Sequence, residues 1–356
     1  MPILPQRHIQ AMKKMARKAS WDTFAIGLQK KQSIVRIHER ISETGEVEFV
    51  DRCQGQVYIE PANGYVISDN YRLHEHSLLP DHPETAIPWR YQLPSLRQFR
   101  RAVSGKQVVE MDAVVSLRHL WEWNYYHFQS DVLGKLDLFA SAGIDRSTPL
   151  VLGRYAMELS FVKDIIQRGE LKTRNWIIQD NFIIKAKEAY FCRSNRSTAE
   201  RFRFLEEMDL PAPNISSARR VYLTRGKGAT RRVENEAQVI SVMKKYGFEI
   251  VDTAGMSIDE QINLFSSIRF LVAVHGAGMI NIVYRHTAPM SILEICPTIY
   301  HNSCFQRIAN TYGFQWRMLE AEPTSSIAQH TNMIVDCDLL EAKTRDLLLS
   351  YETQPS

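Results

Sequence analysis

The sequence predicts an α/β protein of two domains, the second built on a parallel, doubly wound sheet. Three observations predict it. At 356 residues the chain exceeds an ordinary single domain. Its second half alternates short apolar strand-like runs with helical ones. Between the halves, the segment Leu210–Asn214 carries Pro211 and Pro213, which neither a helix nor a central strand tolerates. The expected partition is 1–213, 214–325 and a C-terminal helical tail over 326–356, free to pack back on the N-terminal domain.

The N-terminal stretch opens with a basic amphipathic pattern. Ile9, Met12, Ala16 and Ala19 share one helical face, with Lys13, Lys14, Arg17 and Lys18 largely opposite. The preferred reading is a helix packed on its own domain. The alternative is peripheral contact of residues 9–19 with an anionic membrane surface. From 34 to 118 the pattern is one of short strands (IVRIHE, VEFV, VYIE, YVIS, QVVEM, AVVSL), with turn signals at Asn63-Gly64 and Ser104-Gly105. A helix is expected from Asn124 to Ala140, a strand at Leu150–Leu152 and a helix near 159–167. Strands at 176–178 and 182–185 follow, then a helix over Ser197–Met208.

Past the proline pair the alternation sharpens. Val221–Thr224 reads as a strand, Asn235–Tyr246 as a helix and Phe248–Val251 as a strand. Ser257 and Glu260 form a capping box that opens a helix through Ser267. Phe270–Val274 is a wholly apolar strand, His275-Gly-Ala-Gly278 a tight loop, Met279–Tyr284 a short helix and Ser291–Ile295 a strand. In such sheets ligands lie at the carboxyl ends of strands. Arg225, His275 and the Glu294 region all fall there.

Composition excludes several function classes. The net charge is +4, of which residues 1–35 hold +6 (seven Lys or Arg against Asp22), leaving −2 for the rest. No basic face with interleaved aromatics is apparent, so no nucleic-acid partner is expected. The five cysteines are odd in number and far apart, with no CxxC, so neither a zinc site nor a disulfide framework is indicated. No run approaches the about 18 apolar residues of a membrane span, and the first residues lack a signal-peptide core. The expectation is a cytoplasmic protein, with peripheral contact at the inner membrane surface as an option. His74, Glu75, His76 and His82 are read as a solvated loop in preference to a metal site.

The candidate binding residues form two groups. Gly276 and Gly278, around Ala277, let the backbone approach a ligand, and the following helix presents free N–H groups to an anion. Taken alone, His275-Gly-Ala-Gly278 also fits a plain strand-to-helix turn. The second group is basic: Arg219, Arg220, Arg225, Lys227, Arg231 and Arg232 with no acid among them. Guanidinium binds phosphate oxygens bidentately, so a loop of this kind suits a diphosphate. Arg219 and Arg220 are assigned to solvated surface, whereas Arg225 sits where the strand ends. Glu294 is placed to accept from ribose hydroxyls, its alternative being a structural carboxylate near Pro297.

These residues, in this order, resemble glycosyltransferase family 61. The resemblance is carried by Thr224-Arg225, Thr230-Arg231-Arg232, Asn235-Glu236, the acidic-led helix ending in Phe265-Ser266, His275-Gly-Ala-Gly278 with Asn281, and Glu294-Ile-Cys-Pro297. It spans about residues 220–297, with a weaker match in the Asn124-Tyr-Tyr-His127 segment. Departures are Met279 for the usual Leu, Ile280 for the usual Thr, and Gly226-Lys-Gly228 after Arg225; they leave donor-base and sugar preference open. The resemblance implies a GT-B architecture, two Rossmann-like domains facing a cleft, with the acceptor on the first domain and the donor on the second. It implies inverting transfer from a nucleotide sugar, usually a uridine diphosphate sugar, to a glycan or lipid-linked acceptor in polysaccharide or glycolipid synthesis. Carried over by position, Arg225, Arg231, His275 and Asn281 line the donor diphosphate with Gly276, Ala277 and Gly278, and Glu294 holds the ribose. No cofactor or metal is expected, in keeping with the absence of an Asp-x-Asp motif.

Inverting transfer needs a base for the acceptor hydroxyl. Asn124 as N-cap puts His127 in the first helical turn and Asp131 four residues on, along the same face. His127 as base with Asp131 orienting it is the expectation; the spacing also fits a core histidine capped by Asp131. Trp121, Trp123, Tyr125, Tyr126 and Phe128 suit a sugar-stacking platform. The rival from another class is a non-catalytic nucleotide- or sugar-binding regulatory protein, from which a base opposite the donor site distinguishes an enzyme.

Overall fold

The structure, a computed structural model, describes residues 34–41, 45, 47–62, 64–67, 105–193, 199–226, 230–300, 302–328 and 330–352. The basic segment 9–19, the His74, Glu75, His76 and His82 group, and Lys227 lie outside the described residues. The architecture is α/β, with two sheets and helices between and around them.

The first sheet holds β1 (Ile34–Ile41), β2 (Val47–Ile59), β3 (Val66–Ile67), β4 (Val108–Ser116), β5 (Leu150–Gly153), β6 (Trp176–Gln179) and β7 (Ile183–Arg193), in the order β1-β2-β7-β4-β5-β6 with β3 beside β2. It is only half Rossmann-like: β7, β4, β5 and β6 run parallel, while β1, β2 and β3 add an antiparallel ribbon. Two pairs of expected short strands are each one long strand. In β2 the polar Gln54-Gly-Gln56 break is a bulge: pairing with β7 slips between Gln54 and Val57, and Gly55 supplies a φ of 111°. A polar interruption of this length reads as a turn in sequence, because a bulge leaves the same mark.

The second sheet contains β8 (Arg219–Leu223), β9 (Glu249–Val251), β10 (Ile268–Val274), β11 (Ser291–Pro297), β12 (Gln315–Pro323) and β13 (Met333–Ile334), ordered β13-β12-β11-β10-β8-β9. All neighbours are parallel except β13, which pairs antiparallel with β12. Every residue of β10 and β11 is buried, as central parallel strands require. The strand order reverses between β8 and β10, so the topological switch point, where ligands of such sheets bind, falls at their carboxyl ends. Those ends carry Arg225 and His275.

The helices are α1 (Tyr125–His127), α2 (Lys135–Ser141), α3 (Arg154–Glu158), α4 (Ser160–Ile166), α5 (Glu236–Lys245), α6 (Ile258–Ser267), α7 (Cys304–Thr311) and α8 (Cys337–Glu352), with 3-10 helices at Ala199–Glu207 and Ala277–Arg285. The capping box before α6 is formed: the Glu260 carboxylate takes the Ser257 N–H at 2.7 Å, and Ser257 Oγ takes the Glu260 N–H at 3.3 Å. One apolar core joins the two sheets, Phe128, Val132, Leu133 and Ile165 from the first half meeting Phe265, Ile280 and Phe305 from the second.

The described part of the tail packs on the second sheet. Leu340 and Leu347 of α8 pack with Val239, Met243, Leu293 and Leu319, on the second sheet and α5. β13 and the Val233–Met333 bridge tie the same segment to that sheet. The reason is burial: without α8, the outer face of β11 and β12 would expose its apolar side chains.

Candidate active site

The helix expected over Asn124–Ala140 is broken into three. Asn124 caps it as its residue type suggests, its side chain accepting from Tyr126 N at 3.0 Å and His127 N at 3.3 Å. After α1 the chain widens into a π-helical turn, Phe128–Leu133, before resuming as α2. Such turns recur at functional sites. The joint is Gly134, where a Cβ would collide with the Ser130 carbonyl and the Arg201 side chain.

Around this turn a network gathers. His127 Nδ1 lies 2.5 Å from Asp131 Oδ2. Arg201, from the 3-10 helix Ala199–Glu207, donates from Nη2 to Asp131 Oδ1 at 2.5 Å and from Nε to the Ser130 carbonyl at 2.5 Å. Ser130 Oγ adds a bond to Oδ1 at 3.2 Å. Burial alone would raise the Asp131 pKa. The Arg201 guanidinium, then the bond and charge of His127 and the charge of His119, outweigh burial and hold it well below the usual carboxylate range. The couple is therefore an anion locked from one side, carrying an imidazole whose side chain stays 25% exposed.

A second His–carboxylate pair crosses the second sheet. His275 follows β10 and bonds through Nδ1 to Glu294 Oε1 on β11. The other oxygen of Glu294 accepts from Trp316 Nε1 at 2.8 Å. Glu294 is 1% exposed. With one oxygen on His275 and the other on Trp316, it orients the imidazole; no contact here bears on the ribose role expected for it. The His275 ring packs between Tyr300 (4.9 Å between centroids) and Phe305 (5.1 Å).

Arg225 extends over the His275 turn and donates from Nη1 to the His275 carbonyl. Gly276 is required for this, since a Cβ there would collide with the guanidinium. Ala277 and Gly278 complete the turn and are half-buried. Burial, then the charge of Arg231, push the Arg225 pKa down to about 10, which leaves it protonated at neutral pH. Arg231 holds a left-handed φ of 58° and sets its guanidinium 4.8 Å from the Tyr300 ring centroid. Non-glycine residues adopt that region at an energetic cost, and such strain gathers at functional sites. Two guanidiniums that repel one another beside a glycine turn make a place where an anion relieves the repulsion.

Asn281 is not part of that surface. It is fully buried, its Oδ1 accepting from Tyr125 OH at 2.6 Å and its Nδ2 donating to Gln261 Oε1 at 2.7 Å. Its amide holds α1 to the second half. Arg219 and Arg220 are structural, bonded to Glu249 (2.7 Å) and to the Tyr246 carbonyl (2.7 Å).

The two groups meet through aromatic rings. His127 touches Tyr126 at 5.2 Å between centroids, Tyr126 touches Phe305 at 5.6 Å, and Phe305 touches His275. Arg201, Trp316, Tyr300 and Phe305 carry no local signal in the sequence. Each lies on an element far along the chain from the residue it supports, and no local spacing marks it.

Among the described residues no group of three or more His, Cys, Asp or Glu is placed to hold a metal ion, and no helix is long and apolar enough to cross a membrane. The family model Glycosyltransferase 61 matches residues 125–291. The match starts at α1, just before His127, and ends where β11 begins. No curated protein matches the chain.

Proposed function

We propose, from the match of the family model Glycosyltransferase 61 to residues 125–291, that this glycosyltransferase moves a sugar from a nucleotide sugar, a uridine diphosphate sugar, to a hydroxyl of a glycan or lipid-linked acceptor, with inversion. The observation that carries this reading is the meeting of an open His–Asp couple from one half with a paired-arginine glycine turn from the other. On this reading the two sheets are the halves of a GT-B enzyme. The donor diphosphate lies against Arg225, Arg231 and the Gly276–Gly278 turn. The acceptor hydroxyl approaches His127 Nε2.

Chemistry then follows from position. His127 Nε2 accepts the acceptor proton as its oxygen attacks the anomeric carbon from the side away from the diphosphate. The glycosidic bond to the phosphate oxygen breaks, and its electron pair leaves with the nucleoside diphosphate. The new imidazolium is held by Asp131, whose charge Arg201 preserves. Arginine charge carries the load on the leaving group that a metal bears in other transferases.

A thermal-shift panel of nucleoside diphosphates and nucleotide sugars tests the reading. A ligand at about 100 times its Kd raises stability by about 2.7 kcal/mol. A rise with uridine nucleotides is expected, followed by sugar transfer to a glycan or lipid-linked acceptor. No rise with any nucleoside diphosphate would overturn it.

A further inference from the structure

The imidazole of His119 has no task in the transfer described above. It is 5% exposed, and its Nε2 meets no hydrogen-bond partner. A buried donor left unsatisfied is uncommon in folded proteins and destabilising where it occurs. Geometry fixes its tautomer: Nδ1 accepts the Trp121 backbone N–H at 3.2 Å, so in the neutral ring the proton is on Nε2. That Nε2 lies 4.0 Å from Asp131 Oδ2, the oxygen already bonded to His127. The His119 and His127 rings stack at 5.8 Å between centroids with 27° between planes, and Trp121 touches both.

We propose that His119 is a positioning residue of the His127–Asp131 couple, its Nε2–H being a further donor directed at Asp131 Oδ2. The inference rests on reading His127 as the base. The groups that face His119 are Asp131 on the π-helical turn, His127 on α1, Lys135 on α2 and Arg201 on the 3-10 helix. Glu122 takes its backbone N–H at 3.2 Å. Burial is the largest influence on it. With Lys135, His127 and Arg201, burial outweighs Asp131 and holds the His119 pKa well below the usual imidazole range. At working pH it is therefore a neutral donor and not a second base. Its dipole stabilises the Asp131 anion and claims part of the oxygen that draws a proton onto His127. The consequence is a weaker pull of Asp131 Oδ2 on the proton it shares with His127.

The experiment is a pH titration of the His127 imidazole by nitrogen-detected NMR in the full chain, on wild type, His119→Phe and His119→Gln. Phenylalanine keeps the ring and removes the donor; glutamine returns an N–H₂ at similar reach. His119→Phe is expected to raise the His127 midpoint by about half a unit to one unit, and His119→Gln to bring it back. Equal midpoints in wild type and His119→Phe, or a glutamine variant that behaves as phenylalanine does, would overturn the proposal. Should His119→Phe not fold, His119→Leu against His119→Gln carries the same comparison. The titration needs no turnover. A shifted His127 midpoint beside an unshifted pH–rate profile would keep His119 as a positioning residue and remove His127 as the base.

Discussion

Each half of this molecule contributes one His–carboxylate couple, and the two are built for different work. His127–Asp131 stands on a π-helical turn with the imidazole a quarter exposed and the carboxylate backed by Arg201. His275–Glu294 lies across two central strands, with side chains 4% and 1% exposed, backed by the neutral Trp316 indole. The first keeps a nitrogen for a substrate and a guanidinium to preserve the charge of its partner. The second is buried, and the carbonyl of its His275 accepts from Arg225. On the proposed reading, a His–carboxylate pair acts as a base where it is open and as a brace where it is sealed. Exposure and the second partner of the carboxylate decide which.

The largest expected effect breaks the open couple. Asp131→Asn removes the orienting charge and leaves Arg201 without its counter-ion, so turnover should fall by about 10²–10⁴ in steady-state assays. A fall of less than tenfold would mean that the couple does not orient a base. The next separates the donor turn from the couple. Arg225→Ala should weaken nucleoside-diphosphate binding by roughly ten- to a hundredfold in calorimetry, the loss of a charge-assisted bond worth about 1.5–3 kcal/mol. Unchanged affinity would take Arg225 out of the donor site.

The sealed couple should answer differently. Glu294→Gln is expected to lower stability by about 1–3 kcal/mol, read as a drop in thermal midpoint, with turnover of the folded enzyme little changed. Turnover lost at an unaltered midpoint would give the buried couple a chemical role. The smallest expected effect is none: EDTA should leave transfer intact, because Arg225 and Arg231 carry the diphosphate charge. Activity abolished by EDTA and restored by Mn²⁺ or Mg²⁺ would contradict this.

The contrast also explains what was legible in the sequence. The parallel sheet of the second half was readable because fully buried strands such as β10 have no polar face to hide them. His127 and Asp131 were readable because a four-residue spacing behind an Asn cap is a local signal. The buried partners of Glu294 and Asn281 were not legible, since a polar residue at a strand end or beside a glycine turn looks the same whether it faces a ligand or a buried partner. Their partners, Trp316 at position +22 and Tyr125 at position −156, are set by tertiary packing alone. Arg201 was invisible for the same reason, and so was the π-helical turn, which leaves helical periodicity nearly untouched.

The most direct test of the open couple as the working one is His127→Ala, assayed for single-turnover transfer and for nucleoside-diphosphate affinity in the same preparation. Turnover reduced by about 10²–10⁴ with affinity nearly unchanged is expected. Near-wild-type turnover in the folded variant, or loss of affinity in place of turnover, would contradict it.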